Sequence, residues 1–269
     1  MFYKTFPPSH DLSKFIKFFW VLELDAQTDY SKNERIFPDA CVELIFHYGD
    51  LFKKHKNGNV ILQPRSFIHG QIKSFIEIEA TGRTGMIGVR FFPNGLYPFL
   101  KLNHGLLVGE NLSVRDVWGS EGEELEDKIL NSSNIESRIQ LLESFFLDKI
   151  KFNSYEYSHV DNALKIMYSQ KGNISISELS NSVNLSKRHF ERKFKEEVGL
   201  SPKSISRIIR FQQVLKELEQ NKFVSLTKTA HDFSYHDQAH FIHDFKLITG
   251  ENPKSYFAKH QHLAKYFNT

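Results

Sequence analysis

One pattern in the last hundred residues occurs twice, and it limits what this chain can become. The first copy runs from Leu179 to Lys195 and closes with Gly199 and Pro202. The second runs from Ala230 to Lys246 and closes with Gly250 and Pro253. Phe194, Lys195, Gly199 and Pro202 all recur 51 positions later. A period of that length with Phe-Lys, Gly and Pro in register points to a duplicated supersecondary unit. Each copy predicts a scaffold helix, a tight turn and a second helix presented to a DNA major groove.

Charge is consistent with this reading but does not carry it. Residues 171–269 hold 16 Lys and Arg against 10 Asp and Glu, whereas residues 1–170 hold 19 against 22. A basic segment joined to an acidic one fits a nucleic-acid module attached to something else. The single cysteine, Cys41, excludes an internal disulfide and a four-cysteine zinc site. No apolar run reaches the roughly 20 residues of a membrane helix, and the start of the chain lacks a signal-peptide pattern. A cytoplasmic protein without a membrane partner is expected.

Residues 1 to about 110 favour strands. Asp39–Tyr48, Val60–Gln63, Ser74–Glu79 and Met86–Phe92 are β-branched and aromatic, and Gly, Pro and Asn separate them. Leu12–Trp20 fits a helix or a strand equally. From Glu121 to Ile150 the period becomes helical, with Leu125, Ile129, Ile135, Ile139, Leu142 and Phe146 on one stripe. Such a hairpin packs either on its own sheet or on a second subunit. The fold class expected is α+β in two domains. Residues 1–150 form a β-sandwich or cupin-like barrel with a trailing helical hairpin, and 151–159 are a linker. Residues 160–269 form an all-α module with two helix-turn-helix motifs. A helix starting at Pro202, with Ile205, Ile208, Ile209, Val214 and Leu218 as its stripe, joins the motifs. Recognition helices on one strut would meet successive major grooves about 34 Å apart.

In the first motif Asn184 suits the left-handed turn, Ser186 suits an N-cap, and Phe190 and Phe194 face inward. Lys187, Arg188, Glu191, Arg192 and Lys195 are left on the outer face. Arg188 and Arg192 stand four apart, so both can enter one groove, where Arg pairs with guanine O6 and N7. In the second motif Asp237 is the N-cap and Phe241 and Phe245 face inward. The outer face is Gln238, Ala239, His243 and Lys246, with His236 and His240 nearby. Gln can pair with adenine and Ala can touch a thymine methyl. Ala239, His243 and Ser234 at the turn make this the weaker reader. His236, His240 and His243 have chelating spacing, but phosphate contact is the better account and no metal is expected.

These residues resemble the AraC-type transcription regulators. The match includes Leu179, Ser180, Phe190, Arg192, Phe194, Lys195, Gly199, Ser201, Pro202 and Arg210 in the first half. In the second half it includes Ala230, Tyr235, Asp237, Gln238, His240, Phe241, Phe245, Lys246, Gly250 and Pro253. The resemblance implies a seven-helix DNA-binding unit in which Lys187, Arg188, Arg192, Gln238, Ala239 and His243 fall on positions contacting bases or phosphates. Ser180, Ser234 and His243 depart from the usual Ala, Gly and Arg. Phe37–Phe46, Phe67–Gly70 and Gly88–Gly95 resemble an amino-terminal domain carried by some of these regulators. That likeness implies a cupin-like domain which senses a small molecule or dimerises.

Glu43, His47 and Arg90 interrupt apolar strands, and burial would require pairing, for instance Glu43 or Asp39 with Arg90. The alternative is a polar ligand anchored by Arg90, with Trp20, Glu43, His47 and Phe92 around it. No nucleophile elbow, phosphate loop or His-Glu-x-x-His is present, so no catalytic residue and no cofactor are expected. The reading is a regulator, with activator as the direction, double-stranded DNA and a small-molecule effector as ligands, RNA polymerase as partner and a homodimer as assembly. The competing reading is a metal-dependent cupin-like enzyme, using His47 and His69, with an accessory DNA-binding domain.

Overall fold

The computed structural model describes residues 1–25, 34–56, 58–151, 158–220, 230–233 and 235–259. Strands come first: β1 (Phe2–Phe6), β2 (Ile16–Leu24), β3 (Glu34–Ile36), β4 (Val42–His47) and β5 (Phe52–Lys56). They continue with β6 (Asn59–Leu62), β7 (Ser66–His69), β8 (Ile76–Ala80), β9 (Thr84–Phe91) and β10 (Asn111–Ser113). They form two antiparallel sheets, ordered β1-β2-β9-β4-β7-β10 and β3-β8-β5-β6. Trp20, Leu22, Ile45, Phe67 and Met86 of the larger sheet pack with Phe52 and Ile78 of the smaller one. The described strands of the amino-terminal part therefore face each other as two packed sheets.

Period-two alternation explains how one sheet serves two layers. On β9, Ile87, Val89 and Phe91 join a core with the helices behind the sheet, while Met86 faces the other sheet. Gly88 lies beneath the Trp20 indole, which occupies the space a side chain there would need. The ambiguous Leu12–Trp20 segment resolves into a turn followed by β2, because β1 and β9 pair with β2 on its two sides. Local composition could not supply those partners.

The hairpin is α1 (Val114–Asn131) and α2 (Ile135–Lys151), capped by Ser113, whose hydroxyl accepts from the Asp116 amide. Leu125, Ile129, Ile139, Leu142 and Phe146 are buried with Phe19, Leu44, Phe46, Ile68 and Phe91 of the chain's own sheet. The stripe is consumed inside the protomer. It is not the subunit contact that the sequence left open.

The carboxy-terminal helices are α3 (His159–Ser169), α4 (Ile176–Ser182), α5 (Lys187–Val198), α6 (Pro202–Gln220), α7 (Gln238–Thr249) and α8 (Pro253–Lys259), with helical residues 230–232 ahead of α7. Most of the expected linker (152–157), Ser234 and the side chain of Leu218 lie outside the described residues. No helix among the described residues is long and apolar enough to cross a membrane. The α6 stripe divides between two cores. Ile205, Ile208 and Ile209 pack with Leu179, Phe190 and Phe194, whereas Phe211, Val214 and Leu215 pack with Phe241, Phe245 and Tyr256. One helix thus anchors both motifs.

Candidate nucleic-acid interface and sensor cavity

The first motif is built by local rules. Ser175 and Glu178 form a capping box at the start of α4. Asn184 takes the left-handed turn with φ +55°, and the Leu185 amide donates to the Ser180 carbonyl. Ser180 is buried, and its hydroxyl donates to the Ser177 carbonyl at 2.9 Å, so a polar group is tolerated at the helix contact. Ser186 caps α5, and Gly199 ends it at φ +93°. Phe190 and Phe194 meet edge-on inside. Lys187, Arg188, Glu191, Arg192 and Lys195 are all exposed on α5. Arg192 lies 3.6 Å from Glu196, an exposed pair that contributes little to stability.

In the second motif Asp237 caps α7 by accepting from the His240 amide at 2.7 Å, and Gly250 ends it in the left-handed region. Gln238, Ala239, His243 and Lys246 are exposed. His240 is placed differently from its neighbours. Half-buried, its ring meets Tyr235 edge-on and its Nε2 lies 3.6 Å from Asp244. His236 and His231 are exposed beside Asp237 and Asp232. Among the described residues no group of three His, Cys, Asp or Glu could hold a metal ion.

Sequence reading missed Asp244. It is 1% exposed, and its Oδ1 sits 3.2 Å from Arg207 Nε on α6. The pair ties the second recognition helix to the strut that carries the first. Its signal was available, since Asp244 occupies an inward position between Phe241 and Ile248.

The sandwich touches the helical module directly. A 3-10 turn at His104–Leu107 packs on α5, and the Tyr97 hydroxyl donates to Glu196 at 3.4 Å. Asn94 donates to Asp161 on α3 at 2.8 Å. At the other motif the Phe75 amide donates to the Ile248 carbonyl at 2.8 Å, and Arg35 bridges Glu77 and Glu251.

Between the two sheets lies a cavity of about 70 Å³. Trp20, Leu22, Phe67 and Ile78 contribute apolar walls, and Asp39, Glu43, His69 and Arg90 contribute polar ones. Arg90 pairs with both Asp39 and Glu43, the latter at 2.9 Å, so the internal partner expected from sequence is present twice over. Burial pushes the Glu43 carboxyl up to about 7, and it pushes the His69 imidazole down to about 4. Nε2 of His69 and Nε of Arg90 are buried without a hydrogen-bond partner among the described residues. The structure thus brings Trp20, Glu43 and Arg90 together at the cavity. His47 and Phe92 do not line it. His47 is sealed between Phe52 and Phe67, and the Phe92 ring centroid lies 5.9 Å from the Lys17 ammonium. Phe92 follows Phe91 past the end of β9, and His47 stands four residues beyond Glu43 on the same face, at the far end of β4.

Residues 179–259 match the family described as a helix-turn-helix domain, and residues 4–113 match a domain of unknown function. Comparison with curated proteins found no match. Among solved structures, ToxT from Vibrio cholerae aligns at 11% identity over 95% of this chain and 98% of its own, with a TM-score of 0.47. The C-terminal domain of AraT, a response regulator from Geobacillus stearothermophilus, aligns at 19% identity over 41% of this chain and 93% of its own, with a TM-score of 0.37. The AraC-like transcriptional activator CuxR aligns at 10% identity over 80% and 86%, with a TM-score of 0.29.

Proposed function

We propose that this chain, which carries an AraC-type helix-turn-helix module, is a one-component transcription regulator acting in the cytoplasm. Residues 160–269 bind duplex DNA, residues 1–150 hold a small effector, and 151–159 link them. One observation carries the reading. Two capped helices, α5 and α7, turn polar faces to solvent while a single helix, α6, contributes to both of their cores. That arrangement spaces two readers on one rigid element, as bipartite major-groove recognition requires.

Within it, Arg188 and Arg192 read bases, Lys187 and Lys195 hold phosphates, and Glu191 helps set which bases α5 accepts. Gln238 and Ala239 read the second half-site, with His243 and Lys246 at the backbone and His240 in a supporting position beside Asp244. The effector site is the cavity at Arg90, Glu43 and Trp20. At about 70 Å³ it has room for about two waters, against the roughly 300 Å³ or more of ordinary ligand pockets. An effector of ordinary size must therefore open it. Homodimerisation, contact with RNA polymerase and activation of transcription belong to the same reading. The enzyme alternative is less well supported, since among the described residues no three His, Cys, Asp or Glu are gathered: His69 stands beside Glu43, but His47 does not line the cavity.

Selection of bound sequences by the full chain tests the proposal. Arg188→Ala should cost about 1–3 kcal/mol on the selected duplex and relax one base position. Lys195→Ala should weaken all duplexes alike and lower the salt slope by about one. Equal losses on selected and random DNA for Arg188→Ala would remove it from base reading, and no duplex binding by the wild-type chain would end the proposal.

A further inference from the structure

The walls of the cavity are unequal. Strands β2, β4, β7 and β9 hold one side of it, each bonded to neighbours in the larger sheet. Phe37, Asp39 and Cys41 close another side, and they belong to the β3–β4 connection, which lies in no strand. The same five-residue connection, Phe37–Cys41, also reaches the helical module. Ala40 is buried in the core of the first helix-turn-helix. Phe37 meets Phe211 and Tyr256 edge-on in the core of the second. The Pro38 carbonyl accepts from the Gln212 side chain on α6 at 2.6 Å.

The connection is held from both sides. Asp39 pairs with Arg90, and its Oδ1 accepts from the Cys41 amide at 2.9 Å. The Ala40 carbonyl accepts from Gln71 Nε2 at 3.0 Å. Between them Ala40 sits at φ +64°, a conformation that residues with side chains seldom adopt. Such a residue persists when its surroundings over-determine it, so freeing one anchor lets the backbone relax. An occupant that enlarges the cavity meets hydrogen-bonded strands on one side and this connection on another. The connection has no ladder to break.

We propose that Phe37–Cys41 is the coupling segment through which occupancy of the cavity reaches both helix-turn-helix units and their shared helix α6. The inference rests on the effector-controlled reading above. Linkage makes it reciprocal, so disturbing α6 at Pro38 must disturb the cavity at Asp39 and Arg90.

Hydrogen–deuterium exchange on the full chain tests this without a ligand. Asp39→Asn keeps the acceptor for Cys41 but removes the ion pair. It should raise exchange at least threefold over residues 208–214 of α6 and 241–248 of α7. Gln212→Ala cuts the contact at a half-exposed helix position and should raise exchange over residues 39–43 and 88–91. This second variant keeps the test decisive should Asp39→Asn fold poorly. Effects that stay on the mutated side of the interface overturn the proposal. So does an equal spread from Ile78→Val on the far wall, since any cavity lesion would then travel as well. Duplex affinity is scored separately: a wild-type chain without it sinks the functional reading and leaves the exchange result standing.

Discussion

Replacing His47 by phenylalanine removes a titratable ring from a site otherwise made of rings. The imidazole is fully buried between Phe52 and Phe67, each with its centroid 5.8 Å away. Burial holds its pKa down at about 4, with the nearby Gln63 side chain opposing and the Arg65 charge reinforcing. In the unfolded chain the group titrates near 6.5. Between those values the unfolded state binds a proton that the folded state refuses. Stability from this group is therefore complete above about pH 6.5 and is lost as pH falls toward 4. At pH 5 the loss is about 2 kcal/mol. His69 and His104 are also lowered to about 4 by burial. Three such groups approach the 5–15 kcal/mol that typically separates a folded domain from its unfolded chain. Phenylalanine is somewhat larger, so packing should cost up to about 1.5 kcal/mol at any pH. Urea midpoints at pH 8 and pH 5 separate the two effects, because the packing cost cancels in the difference. The variant should gain about 2 kcal/mol on wild type between pH 8 and pH 5. Equal shifts at both pH values would refute the claim that His47 is kept neutral by burial.

Other expectations follow from particular contacts. Asp244→Ala leaves Arg207, which is 28% exposed and can turn to water, whereas Arg207→Ala leaves a carboxylate 1% exposed with His240 and His243 as its ion-pair neighbours among the described residues. Arg207→Ala should therefore destabilise the second motif more, by about 2–4 kcal/mol against about 1–2, and the reverse order in thermal unfolding would reject the argument. His243→Arg should tighten duplex binding by placing a fixed cation on the exposed face of α7; unchanged or weaker affinity in a titration would take His243 off the phosphate-facing side. Strand β6 is an edge of the smaller sheet, and Val60, Ile61 and Leu62 are each more than half exposed. Edge strands without charge invite pairing, so if the proposed homodimer forms through β6, Ile61→Lys should shift the chain toward monomer in analytical ultracentrifugation, and a self-association unaltered by the substitution would place that contact elsewhere.

What the amino-acid sequence determined by itself is whatever depends on near neighbours. The 51-residue repeat, the caps at Ser186 and Asp237, the left-handed Asn184 and the inward pairs Phe190–Phe194 and Phe241–Phe245 follow from helix period and end effects spanning a few residues. The exposed faces of α5 and α7 follow as the remainder. Local pattern could not choose partners. It left Leu12–Trp20 undecided until β9 paired with it, and it could not say that the hairpin stripe would close on its own sheet. It named His47 with Glu43 and Arg90 as polar residues interrupting apolar strands, and Trp20 and Phe92 as rings around them. The turns between strands then set which of these meet, and only Arg90, Glu43 and Trp20 arrive at the cavity. Asp244 with Arg207, and Phe37–Cys41 between cavity and helices, join residues far apart in the chain. Such contacts leave no period to read, because they exist only once the two sheets and the helical module have come together.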